Sequence, residues 1–261
     1  MELPWIALAL VTVIALERTR LRRLPARFLR PYFAADLAFF VLGAVALGLA
    51  MRTAAARAAQ ALAVDPLAAW PAPAAFALTL GVYDLGAWLA HRAMHRFDFL
   101  WSAHKVHHAS PRLDWLAAFR MHPLEHALRH ALSPVLLLIA GFPVLYVALA
   151  SILAAAWAAF VHANLDLGWA RVEGWLVTPR LHHLHHVPAT HDRNFGAIFS
   201  LWDRLAGRLT REPAAKDAAL GVPGELATFP HTFWPQLAAP FVSREAAPRS
   251  APAPAAARSR R

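Results

Sequence analysis

Cysteine is absent from the chain. That excludes disulfides, thiolate-held zinc, iron–sulfur clusters and cysteine-ligated haem together. A metal here is held by His, Asp or Glu, a donor set that suits iron, zinc, copper or manganese. The chain also lacks a Gly-rich dinucleotide fingerprint and any internal repeat beyond short histidine clusters. Acidic residues are few, 16 against 26 Lys and Arg, for a net charge of +10. In a soluble protein this excess suggests nucleic acid. Here no nucleic-acid motif accompanies it and the arginines flank apolar runs, so they read as anchors facing anionic headgroups. Histidine is missing from the first ninety residues, although the chain has 15.

Apolar residues are plentiful. They make up 58% of the 261, against roughly 45–50% in soluble domains, and mean hydropathy is +0.39. The stretch Leu3–Leu16 is apolar but short of the roughly 20 residues a full span needs. It has neither a basic start nor a small-residue cleavage site, so it is not read as a secretory signal. A dense block follows, Arg18, Arg20, Arg22, Arg23, Arg27 and Arg30, which the positive-inside rule places in the cytoplasm. Ala34–Met51 is expected to cross outward, and Trp70–Ala90 to cross back and deliver His91 at its inner end. Ala131–Val161, broken at Gly141-Phe142-Pro143, is too long for one straight span and too short for two. A hairpin turning at the break returns His162 to the side of the other histidines, and proline in the turn ends the first helix.

The expected fold is therefore an all-α integral membrane protein with about three spans plus a hairpin and a His-rich cytoplasmic helical cap. Residues 1–90 form the N-terminal membrane helices. Residues 91–241 form a His-rich unit that includes the hairpin 131–161. Residues 242–261, rich in Ala, Pro and Arg, are expected to be a disordered tail.

Nine histidines fall in short clusters: His91 and His95; His104, His107 and His108; His162; and His182, His185 and His186. Spacings of three and four place side chains on one helical face, and neutral imidazole is the commonest transition-metal ligand. A His-x-x-His-His triplet can reach two ions at once. Nine nitrogens exceed the four ligands of one tetrahedral ion and are about what two ions use. Asp84, seven residues before His91, and Asp166, one turn after His162, are candidate partners for the second nitrogen of a ligating imidazole. His130, His183, His191 and His231 are not expected to ligate. His122-Pro-Leu-Glu125-His126 matches the HxxEH spelling of inverted zinc peptidases, a reading that leaves the other nine unexplained.

These residues resemble the fatty acid hydroxylase/sterol desaturase superfamily of membrane di-iron oxygenases from about Asp84 to Gly207. The likeness includes Asp84-Leu-Gly-Ala-Trp88-Leu-Ala-His91-Arg92, Leu100-Trp101-Ser-Ala-His104, Arg120-Met-His122-Pro123-Leu-Glu125 and Val161-His162-Ala-Asn164. It continues through the last histidine triplet to Asp192-Arg-Asn194-Phe195-Gly196 and Trp202-Asp203-Arg204-Leu205. Trp88 stands where tyrosine is common, and Ala206 and Arg208 replace the usual aromatic residue and threonine. The resemblance implies a membrane enzyme that uses O2 as co-substrate and holds two iron ions, or zinc acquired on purification, with the nine histidines. It implies hydroxylation or desaturation of a lipid C–H bond at the cytoplasmic face of an inner or plasma membrane. With no electron-transfer domain visible, electrons are expected from a ferredoxin- or cytochrome-type partner. The rivals are a zinc metallopeptidase using His122, Glu125 and His126, and a non-enzymatic membrane metal-binding protein.

Overall fold

The structure, a computed structural model, describes residues 3–18, 32–49, 66–130, 132–212, 218–222 and 228–242, with positions 53, 57 and 225. Most of the arginine block at 18–30 and the tail from 243 onward lie outside the described residues. The described chain is helical, with one isolated bridge between Leu176 and Phe199 and no strand among the described residues.

Helix α1 (Leu3–Glu17) ends on a buried carboxylate. Glu17 Oε1 accepts from Trp115 N at 2.8 Å and Asn164 N at 2.9 Å, tying the N-terminus to two distant loops. Helix α2 (Phe33–Phe39) runs on into a π-helical turn, Phe40–Leu47. Inside α2, Asp36 is fully buried and pairs with the equally buried Arg120 at 3.2 Å. That ion pair ties α2 to the loop that begins the next histidine-bearing layer.

Helix α3 (Ala72–Arg96) carries Pro in its first turn, where the missing N–H costs nothing. Its 25 residues extend about 37 Å at 1.5 Å each, enough to cross roughly 30 Å of hydrocarbon and carry His91 and His95 to its end. The chain turns at extended Phe97 and continues as α4 (Asp98–His108). A 3-10 turn follows at Trp115–Phe119, capped by Asp114 Oδ1, which accepts from Leu116 N and Ala117 N at 3.0 Å each. Then comes α5 (Pro123–His130).

The apolar stretch at 131–161 does break where its sequence places the break. Helix α6 (Leu132–Ile139) and helix α7 (Val144–His162) flank Gly141, which adopts φ 84, a conformation glycine takes without penalty. The described part of α6 has eight residues and α7 has 19. Among the described residues two helices, α3 and α7, are long and apolar enough to cross a membrane, and Phe33–Gly43 is a shorter apolar helix. Tyr83 of α3, Leu137 and Leu138 of α6, and Val147, Ala150 and Ala154 of α7 share one buried core with Ile198. The outer faces stay apolar and exposed, as at Leu89 (53%), Ile139 (58%) and Leu145 (58%). Exposed faces of this kind are what lipid contact requires.

The remaining helices are short: α8 (Pro179–His185), capped by the Thr178 hydroxyl, α9 (Leu201–Leu205) and α10 (Phe233–Val242). Phe233 of α10 packs on Phe39 of α2 at 4.7 Å between rings.

Candidate metal centre

The nine clustered histidines converge in space as two groups. His91, His95, His104, His108 and His185 form one; His107, His162, His182 and His186 form the other. Within each group the candidate ligand atoms lie within 4.8 Å of one another. The two triplets divide reciprocally. From α4, His104 and His108 join the five-histidine group and His107 the four-histidine group. From the end of α8, His182 and His186 join the four-histidine group and His185 the five-histidine group. On a helix of 3.6 residues per turn, i+4 lies about 40° to one side of i and i+3 about 60° to the other, so one turn of helix serves both groups.

In five of the nine rings the far nitrogen is occupied. His91 Nδ1 lies 2.8 Å from Phe195 O and His185 Nδ1 lies 2.7 Å from Arg193 O. His107 Nδ1 is 3.2 Å from Arg120 O, and His162 Nδ1 is 2.8 Å from Ala158 O. His104 Nδ1 is 2.9 Å from the buried Glu125 Oε1. Carbonyl and carboxylate oxygens only accept, so in each case Nδ1 carries the hydrogen and donates. In the neutral ring Nε2 then presents a lone pair.

The decisive contacts follow from that assignment. His91 Nε2 faces His104 Nε2 at 3.1 Å, and His107 Nε2 faces His162 Nε2 at 3.1 Å. Two lone pairs this close in a buried site repel unless a positive charge lies between them. His182 Nε2 adds a contact at 2.9 Å to His162 Nε2, and His108 and His186 aim their Nε2 atoms into the same two groups at 3.2 Å. Both ring nitrogens of His95, the Nε2 of His185 and the Nδ1 atoms of His108, His182 and His186 are buried without a hydrogen-bond partner. Desolvation, reinforced by the neighbouring imidazoles, pushes His107, His108, His182, His185 and His186 well below the ordinary histidine range. A second proton is therefore disfavoured as that charge. Neutral nitrogen donors converging in two groups fit two transition-metal ions.

Two sequence expectations are corrected. Asp84 touches no imidazole; its carboxylate accepts from Ile198 N (2.8 Å), Phe199 N (3.1 Å) and Trp202 Nε1 (2.8 Å). Seven residues of helix separate it from His91 by about 10 Å along the axis, beyond hydrogen-bond reach. Asp166 is exposed on the loop after α7. The partner that does hold an imidazole is Glu125, which the sequence marked only through the HxxEH spelling and the Arg120-Met-His122-Pro-Leu-Glu125 segment. The peptidase arrangement is not formed. His122 Nδ1 accepts from Leu124 N at 3.1 Å, so Nε2–H donates to Leu237 O at 3.0 Å, and neither nitrogen is left for a metal. His183 and His191 lie outside both groups and use a ring nitrogen on Ala163 O and Pro188 O.

A second unanticipated feature surrounds Asp203, fully buried in α9. Its carboxylate accepts from Trp88 Nε1 (2.9 Å), Phe195 N (2.9 Å) and Gly196 N (2.7 Å). Burial pushes this carboxyl above its ordinary range, and the three donors act against that rise.

A family model described as fatty acid hydroxylase matches residues 76–208. The chain is 31% identical over 178 residues to ornithine lipid hydroxylase OlsE of Rhizobium tropici, covering 66% of this chain and 53% of that protein. It is 30% identical over 153 residues to alkylglycerol monooxygenase of Danio rerio, covering 58% of this chain and 33% of that protein. The human alkylglycerol monooxygenase matches at 26% over 136 residues, 51% of this chain and 30% of that one. The chain thus spans about half, or a third, of the length of these relatives. No solved structure matches it significantly.

Proposed function

The chain belongs to the fatty acid hydroxylase family, and we propose that it is a membrane lipid hydroxylase built on two iron ions held by its nine clustered histidines. The observation that carries this reading is the pair of opposed Nε2 lone pairs at 3.1 Å, one pair in each group. His91, His95, His104, His108 and His185 would hold one ion; His107, His162, His182 and His186 would hold the other. When bound, the irons supply reductive activation of O2 and the oxidant that attacks an unactivated C–H bond. The balance is one C–H bond and one O2, with two electrons and two protons, giving an alcohol and water.

The chain's own residues do the rest. Carbonyls of Arg120, Ala158, Arg193 and Phe195 hold the rings in one tautomer with Nε2 inward. The Glu125 carboxylate gives the Nδ1–H of His104 an anionic acceptor where its neighbours have carbonyls, and fixes that ring with Nε2 inward. The apolar faces of α3, α6 and α7 place a lipid chain beside the ends of α3 and α7, where His91 and His162 lie. Residues 91–241 constitute the catalytic unit, on the cytoplasmic face.

The substrate is a lipid with a polar head, the class that the names of the relatives share, and the reaction is hydroxylation, since those names are a hydroxylase and monooxygenases. Electrons come from a ferredoxin- or cytochrome-type donor docking on the basic face. The zinc peptidase reading fails on the occupied nitrogens of His122. Lipid profiling of cells with and without the gene, alongside O2 consumption by purified protein given a reducing partner, tests the proposal. A hydroxylated lipid lost with the gene is expected. O2 consumption absent from iron-loaded, reduced protein would favour a non-enzymatic metal carrier instead.

A further inference from the structure

Two of the five imidazoles in the larger group take their orientation from one short stretch of chain. Arg193 O receives His185 Nδ1–H and Phe195 O receives His91 Nδ1–H. This stretch is itself clamped by side chains outside both histidine groups. Asn194 sits in the left-handed region at φ 57. Its amide donates to Leu181 O (3.2 Å) and Thr210 O (3.0 Å) and accepts from Thr210 N (2.8 Å). On the other side, Asp203 accepts from Phe195 N and Gly196 N. The fit is close: a side chain at Gly196 would meet Phe199 O at 2.7 Å.

One peptide unit links the carboxylate to the imidazole. The Gly196 N–H and the Phe195 C=O belong to the same planar amide, with the N–H on Asp203 and the C=O on His91. Turning one end turns the other. Asp203 is in turn anchored to α3 by Trp88, while Asp84 of α3 holds Trp202 beside Asp203. These crossed Asp–Trp pairs join α3 to α9 and fix the intervening segment against the helix that bears His91. The four-histidine group does not draw on this segment: His107 rests on Arg120 O, and His162 on a carbonyl of its own helix, Ala158 O.

We propose that Asp203 is a positioning residue for one metal site only. It sets the Phe195–Gly196 amide, and through it the tautomer and aim of His91 in the five-histidine group. The inference rests on the two-ion reading above.

The test is a cobalt(II) titration of metal-free protein in detergent, in competition with a chelator, read as two separable binding steps. Wild type is expected to take two ions per chain. Asp203→Asn places an NH2 where one peptide N–H needs an acceptor. It is expected to weaken one step by roughly 10- to 100-fold, the usual cost of losing an outer partner of a metal-bound imidazole, and to leave the other step unchanged. His107→Ala, which disables the four-histidine group, assigns the steps: combined with Asp203→Asn it should leave only the weakened step. If Asp203→Asn does not fold, Trp88→Phe removes the indole anchor, keeps both peptide bonds, and should weaken the same step by a smaller factor. Equal weakening of both steps, or no change in either, overturns the inference while leaving the two-ion reading intact. A wild type that takes fewer than two ions overturns that reading and the inference with it.

Discussion

Glu125 Oε1 lies 2.9 Å from His104 Nδ1, with both side chains fully buried, and Arg129 reaches the same oxygen at 3.5 Å. The carboxylate thus joins an imidazole of the five-histidine group to a guanidinium that offsets its charge. Glu125→Ala is expected to weaken metal binding at the five-histidine group by roughly 10- to 100-fold. Glu125→Gln keeps an acceptor without the charge and should lose less. Chelator competition reads both; an unaltered affinity in Glu125→Ala would show that the contact does nothing for the metal.

The reciprocal split of the triplets gives a sharper expectation. His107 and His185 occupy corresponding middle positions, yet serve different groups. His107→Ala and His185→Ala should each bring the metal content of purified protein toward one ion per chain and abolish turnover. The fraction of protein extracted from membranes should not change. A peptidase would keep full activity in His107→Ala.

Burial sets the acid response. In the metal-free fold His107, His108, His182, His185 and His186 are held neutral, whereas an unfolded chain protonates them near pH 6.5. Below that pH the unfolded state binds more protons, so stability is present above it and is lost as pH falls. Each such imidazole contributes up to about 1.4 kcal/mol per pH unit. Thermal midpoints of the metal-free protein should therefore drop steeply below about pH 6.5. Midpoints flat across that range would contradict the neutral assignment.

The Asp36–Arg120 pair is buried on both sides. Removing one partner strands a charge, so Asp36→Ala should destabilise the protein by about 3–5 kcal/mol. The loss should also reach the four-histidine group, because Arg120 O holds His107. Chemical denaturation together with metal content checks both effects; stability within experimental error of wild type would refute the assigned role.

The sequence disclosed the nine histidines because ligand spacing on a helix is a local property. The i, i+3, i+4 pattern survives without knowledge of the fold. The break at Gly141–Pro143 was legible for the same reason, since glycine and proline act on their own backbone. What could not be read was pairing across the chain. Asp84 and Trp202 are 118 residues apart, and His104 and Glu125 are 21 apart across a 3-10 turn. A carboxylate in an apolar helix announces that it needs donors, not which ones. Asp84 found them in backbone N–H groups and an indole, while the imidazole went to Glu125, whose helix packs against α4.

Elemental analysis of protein purified from iron-replete membranes at native expression bears most directly on two histidine-held ions. About two irons per chain are expected, falling to about one in His107→Ala. A wild-type ratio of one or none would contradict the paired centre and the hydroxylase reading built on it.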